Sequence, residues 1–261
     1  MKTKTKTKMK KITKDDLANN PIPRLASCLV LDTSISMGKL MKNGLRPIDE
    51  LNKGVAMYMD AISKKEKTKE MVEISIVTFG NNEFSNDIPK HLHDPKKGVK
   101  KVLDFGYVNE GNAPTLSAGG YTPMGEAVEI ALDMLEKRKQ IYKETAGTYK
   151  QPWLVLMTDG YPYDLERKMR ETGSYDGETI NESAKRTTEL VNAKKLTVIP
   201  VAIGDDANID VLKKFSPITK PVKMNENLKF EEFFDIVTQT QAGDGQEWKI
   251  PDDSEDLSEI I

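Results

Sequence analysis

One cysteine, Cys28, stands alone in 261 residues, so the chain can form no internal disulfide. It lies in an apolar run, which reads as a buried, inert thiol, and such sparing use fits a reducing compartment. Histidine is almost as scarce, with only His91 and His93. Two residues apart, they would share one strand face, but no cysteine or third histidine is there to complete a zinc centre, so they read as exposed edge residues. No apolar stretch approaches the roughly 20 residues that cross a bilayer. The N-terminus lacks the apolar segment of a secretory signal. The expectation is a cytoplasmic protein with no membrane span. Net charge is −2, so no global excess argues for nucleic acid or an anionic membrane. Glycine signatures for nucleotides are missing, and so is an aromatic-plus-basic face for RNA. No internal repeat is evident.

What the chain does have is a strong start. Leu25 to Gly38 reads LASCLVLDTSISMG, an apolar run that stops at Asp32, Ser34 and Ser36. The run is too short to span a membrane, and its bulky and β-branched residues suit a buried strand. Such a strand delivers three oxygen-bearing side chains to the carboxyl rim of a sheet, where open α/β folds bind ligands. Oxygens of this kind suit a hard divalent cation.

Residues 1–20 open with alternating Lys and Thr and are expected to be a basic, disordered tail. Residues 21–243 are expected to form one α/β domain, and 244–261 an acidic tail. Within the domain, Leu45, Ile48, Leu51, Val55, Met59 and Ile62 recur at helical spacing. Val72 to Phe79 alternates as a strand, with Glu73 and Ser75 on the other face. After the turn signal at Gly80, residues 83–92 are expected to return as an antiparallel edge, followed by a short helix over 98–103. A glycine-rich loop then leads to Thr122 and Pro123, a helix start with threonine as N-cap and proline as first helical residue. Pro152 to Met157 is a buried strand ending in Thr158-Asp159-Gly160. Further on come a helix over 180–193 and a strand over 196–203, with Pro200 marking a bulge or edge. A short helix over 208–215, an edge strand over 221–224 and a helix around Phe230, Phe233, Phe234 and Val237 complete the domain. Asp205 and Asp206, at another strand end, read as a loop and helix start. Alternating strands and helices imply parallel crossovers and a doubly wound sheet with helices on both faces.

Three segments therefore end at one rim: Asp32/Ser34/Ser36, Thr122 and Asp159. Neutral hydroxyls keep a bound ion electrophilic, while the carboxylates balance its charge directly or through water. Such an ion can still accept a carboxylate from outside. Asp-x-Ser-x-Ser after the first strand, a threonine following a glycine pair, and Thr-Asp-Gly after a central strand resemble the von Willebrand factor type A domain, over about residues 23–241. The resemblance implies a Rossmann-like, six-stranded, mostly parallel sheet with one antiparallel edge. It also implies a metal-ion-dependent adhesion site built from Asp32, Ser34, Ser36, Thr122 and Asp159. That site would hold Mg2+, with Mn2+ or Ca2+ as alternatives, and a protein partner would supply an acidic side chain. The segments PTLSAGGYTPMGEAVEIALDML and PWLVLMTDGYP are similar to the intracellular bacterial branch associated with tellurium resistance and stress responses. One position departs from the pattern. Tyr121 replaces the glycine that many members carry before the threonine, which puts a ring at the metal mouth. Tyr161 and Tyr163 join it as rim candidates. A non-enzymatic binding module is the leading reading. One alternative is a magnesium-dependent phosphohydrolase with Asp32 as nucleophile, although Ser34 stands where such enzymes carry a second aspartate. Another is a metal-free scaffold that binds through its helices or tails.

Overall fold

The computed structural model describes residues 12–80, 98–108, 111–145, 147–162, 178–204, 207–224 and 230–243. All eight residues of β1 (Leu25–Asp32) and all eight of β2 (Val72–Phe79) are buried, as befits strands covered on both faces. They pair in parallel, and β1 pairs in parallel with β4 (Trp153–Thr158) on its other side. Beyond β4 lie β5 (Thr197–Ile203) and the short β6 (Val222–Met224), both parallel, while β3 (Val99–Tyr107) runs antiparallel at the opposite edge. The order is β3-β2-β1-β4-β5-β6, with the reversal of winding between β1 and β4. In doubly wound sheets that reversal opens a crevice at the carboxyl ends of the two strands.

Alternation along the strands sends side chains into two cores. On one face Leu29, Leu31, Ile74 and Val155 pack with α2 (Pro47–Lys64) and α7 (Phe230–Ala242). The ring of Tyr58 stacks on Phe234 at 5.0 Å between centroids. A Cβ on Gly54 would come within 2.6 Å of Phe230 Cβ, so the close approach of these two helices depends on that glycine. On the other face Cys28, Val30, Leu154 and Val198 pack with α4 (Met124–Glu144) and α5 (Glu178–Asn192). Burial there pushes the Cys28 thiol up to about 12, in keeping with an inert thiol. Two short helices, α3 (Glu66–Met71) and α6 (Ile209–Lys213), complete the connections, and the Asn208 side chain caps α6 by accepting from Val211 N.

Several expectations are corrected. Residues 99–103 form no helix; they belong to β3. Register shifts opposite Ile74 and Ile76 break the period-two pattern that would have announced a strand, and the exposed Lys100 and Lys101 suit an edge. Residues 83–92, with His91 and His93, lie outside the described residues. Lys14–Ala18 forms a helix, α1, with Thr13 as cap and Leu17 buried, so the chain is ordered before residue 20. Thr122 is not the cap of α4; Pro123 holds that position without a side-chain bond. Leu45 precedes α2 and is exposed rather than inward. Pro200 pairs in register with Leu156 without a bulge, while β6 pairs only with Val201–Ile203, so among the described residues the other side of β5 is a free edge at the proline. Glu73 carries a carboxylate into the interior. It is fully buried, with Arg138 Nε donating to it at 2.5 Å and Arg24 Nε pairing with it by charge alone at 3.8 Å. This ion cluster braces the amino ends of the strands, opposite the rim where Asp32 pairs with Phe79.

Candidate metal centre

The carboxyl end of β1 is held rigidly before any side-chain chemistry begins. Thr33 N donates to Phe79 O at 2.7 Å, and Thr33 Oγ1 donates to the carbonyls of Phe79 and Gly80. Gly80 adopts φ +99°, and a Cβ there would lie 2.2 Å from Ser34 N, so only glycine allows β2 to end directly beneath the Ser34 loop. The loop then tightens into a single 3₁₀ turn, Ile35–Gly38.

On this base the side chains form a continuous chain of bonds. Asp32 is fully buried and accepts at both oxygens: Ser34 N donates to Oδ1 at 2.7 Å, and Thr158 Oγ1 donates to Oδ2 at 2.6 Å. Ser34 Oγ and Ser36 Oγ are hydrogen-bonded at 2.9 Å, and Ser36 Oγ donates to Asp159 Oδ1 at 2.8 Å, which leaves Ser34 as the donor of the first bond. Gly160 N donates weakly to Thr158 Oγ1, closing the turn after β4. Asp32, Ser34, Ser36 and Asp159, drawn from two strand ends, are thereby gathered at the winding reversal.

The loop that carries Thr122 is stitched to the same place. Gly119 N donates to Thr33 O at 2.7 Å, and Ile35 N donates to Gly120 O at 3.1 Å. Thr122 follows, half-buried, and its carbonyl receives Met124 N as α4 begins. Tyr121 beside it is half-buried and Tyr161 is exposed, whereas Tyr163, Asp205 and Asp206 lie outside the described residues. Sequence reasoning gave no role to the Thr158 hydroxyl and read Gly80 only as a turn signal, not as a support of the Ser34 loop. The first is signalled by a hydroxyl directly before the strand-end acid, the second by glycine directly after β2.

The electrostatics single out the same place. Burial raises Asp32 above the ordinary carboxylate range, against the pull of its hydrogen bonds from Ser34 and Thr158. Asp159 is pushed up to about 7, first by burial and then by the charge of Asp32, with Lys39 acting weakly the other way. Two carboxyls in one desolvated crevice cannot both ionise cheaply without a cation. Neighbouring serine hydroxyls, half-buried to buried, add neutral oxygens, and this hard, all-oxygen donor set fits a divalent ion such as Mg2+. Among the described residues no cluster of three His, Cys, Asp or Glu exists, so the hydroxyls are the further side-chain oxygens beside the two carboxyls here.

The surroundings are apolar and exposed. Of the six exposed large apolar side chains among the described residues, Ile35, Leu40, Leu45 and Tyr161 lie in the segments leaving this site. Clustered exposed apolar groups on a polar surface mark contact faces.

No protein-family model and no curated protein matches the chain. Solved structures do. The chain is similar to a von Willebrand factor type A protein from Catenulispora acidiphila, at 12% identity and a TM-score of 0.56, covering 85% of this chain and 43% of that one. It is also similar to the vWF domain of the type V pili tip protein from Porphyromonas gingivalis, at 10% identity and a TM-score of 0.57, covering 89% of this chain and 100% of that one. A third is proximal thread matrix protein 1 from the mussel byssus, solved with a zinc-occupied MIDAS motif, at 16% identity and a TM-score of 0.53, covering 85% and 48%. Against the first and third, the chain spans less than half of the other protein's length.

Proposed function

The chain has the fold of a von Willebrand factor type A domain, and we propose that it is a non-enzymatic, metal-dependent protein-binding module. The observation that carries this reading is the bonded series Asp32–Ser34–Ser36–Asp159 at the winding reversal, with both carboxyls raised by burial. Ser34, Ser36 and Thr122 would offer hydroxyl ligands, Asp159 a carboxylate, and Asp32 would act from behind, since both its oxygens already accept bonds within the protein. When bound, a divalent cation, Mg2+ in this proposal, supplies positive charge and a position for an outside carboxylate. The zinc-occupied motif of the byssus protein supports a metal at the equivalent place. The exposed Ile35, Leu40 and Tyr161 would then flank the acidic side chain of the partner. The occupied oxygens of Asp32 also speak against its use as a phosphohydrolase nucleophile.

Within this reading, the local wording around Thr122 and Asp159 supports membership of the tellurium-resistance and stress-response branch, a cytoplasmic setting and an acidic protein ligand. Among the described residues no helix is long and apolar enough to cross a membrane. Thermal unfolding in Mg2+ and in chelator tests the module. Saturation at a hundredfold excess over Kd adds about 2.7 kcal/mol to the wild type. Ser36→Ala and Asp159→Ala, both at half-buried positions, are expected to fold and to lose that response. Equal Mg2+ responses in all three proteins would refute the assignment.

A further inference from the structure

At the opposite end of the sheet lies a cavity of about 500 Å3, within the range of ligand-sized pockets. Its floor is apolar: Trp153, Leu196 and Val198, all buried. Its lip is Ile218, 73% exposed, an apolar side chain with most of its surface uncovered. Lys150 and Lys194 add positive charge to the lining. The last described residue, Gly243 at the end of α7, also lines the cavity, and Lys150 Nζ donates to its carbonyl at 3.2 Å. The chain that continues from this point reads Asp244-Gly245-Gln246-Glu247-Trp248-Lys249-Ile250-Pro251, followed by Asp252, Asp253, Glu255 and Asp256.

We propose that this cavity is a peptide-binding site for an aromatic side chain followed by acids, and that its resident occupant is Trp248 of the same chain. Asp-Gly is a turn signal, so the chain can reverse immediately after leaving α7. Trp248 lies five Cα steps beyond Gly243, a reach of at most about 17 Å, and the cavity begins at Gly243 itself. The indole matches an apolar floor with polar groups at its edge, where Gln151 and Thr197 can accept from its N–H. The acids after Pro251 then face the Lys150 and Lys194 charges. So short a tether places the segment at roughly millimolar effective concentration, enough to fill a weak site without help from another molecule. The site owes nothing to the metal rim, and either can fail without the other.

The chain has two tryptophans, so the emission of Trp248 is read as the difference between the full-length wild type and its Trp248→Phe variant. That emission is expected to be blue-shifted from the urea-unfolded position and protected from acrylamide, independently of protein concentration. Ile218→Asp and Lys194→Glu, both at exposed positions, are expected to move it to the red and to raise quenching several-fold while far-UV circular dichroism stays unchanged. Emission at the unfolded position in native buffer would overturn the proposal. So would a blue shift indifferent to both substitutions, which places the indole elsewhere, or one that vanishes on dilution, which makes the occupant a second copy. 19F-labelled tryptophan in the otherwise unaltered chain, assigned with Trp248→Phe, gives an independent reading: the Trp248 resonance shifts in Ile218→Asp or the proposal falls.

Discussion

Replacing Asp159 by asparagine should make the metal-free protein more stable and, at the same time, blind to metal. Asparagine keeps the shape and an oxygen for the Ser36 hydroxyl, which now bonds Asp159 Oδ1 at 2.8 Å, and removes one of two acids sharing a buried crevice. The folded-state value of about 7 lies above the ordinary 3.8, so the protonated form is the one the metal-free fold prefers. The sign follows from linkage: this stability is fully present below the unfolded value and is lost as pH rises toward 7. A shift of that size is worth roughly 4 kcal/mol at most at neutral pH, and solvent relaxation around a half-buried group reduces it to about 2 kcal/mol. For a domain of this size that is a rise of about 4–8 °C in Tm. Scanning calorimetry in chelator should show Asp159→Asn melting above wild type at pH 7.5, with the gap less than half as large near pH 5. Added Mg2+ should raise wild type alone. An asparagine variant that melts below wild type in chelator at neutral pH, or that still responds to Mg2+, would refute the reasoning.

Three further outcomes follow from the same geometry. Gly80→Ala puts a methyl group into the Ser34 backbone at φ +99°, so urea unfolding should show a loss of about 3 kcal/mol and titration calorimetry a weakened Mg2+ response. Thr158→Val removes the hydroxyl that donates to Asp32 Oδ2 at 2.6 Å while keeping its volume; a loss of about 1–3 kcal/mol in chelator, read by Tm, is expected, together with weaker metal binding. Arg138→Ala leaves Glu73 buried with only Arg24 at 3.8 Å, so stability should fall by about 3 kcal/mol or more while the Mg2+ increment in Tm stays intact, because this cluster lies at the other end of the strands.

How much of this could be read from the chain follows from which forces are local. β1 and β4 were legible because strands covered on both faces must be apolar throughout, and an acid at the end of such a run is conspicuous. The helices α2 and α7 declared themselves by periodicity. The strand β3 did not, because the register shifts against β2 scramble its alternation, and edge pairing is a property of two segments rather than one. The ion pairs of Glu73 were illegible for a similar reason: alternation sets it on the second face, but Arg138 and Arg24 arrive from distant parts of the chain to make burial tolerable. At the candidate site the oxygen-bearing residues were visible as motifs. The supports were not: the Gly119 and Ile35 backbone bonds that join two loops, the Thr158 hydroxyl behind Asp32, and the close fit of Gly80 are tertiary facts.

The central claim is that the oxygens of Ser34, Ser36 and Asp159 share a cation. A crystal grown in Mn2+ and measured at the manganese absorption edge tests it most directly. The account predicts one anomalous peak at the carboxyl ends of β1 and β4, within about 2.0–2.3 Å of both serine hydroxyls, with the Ser36–Asp159 hydrogen bond opened to admit it. Clear density for both serines in their present mutual bond, with manganese bound elsewhere or nowhere on the protein, would contradict it.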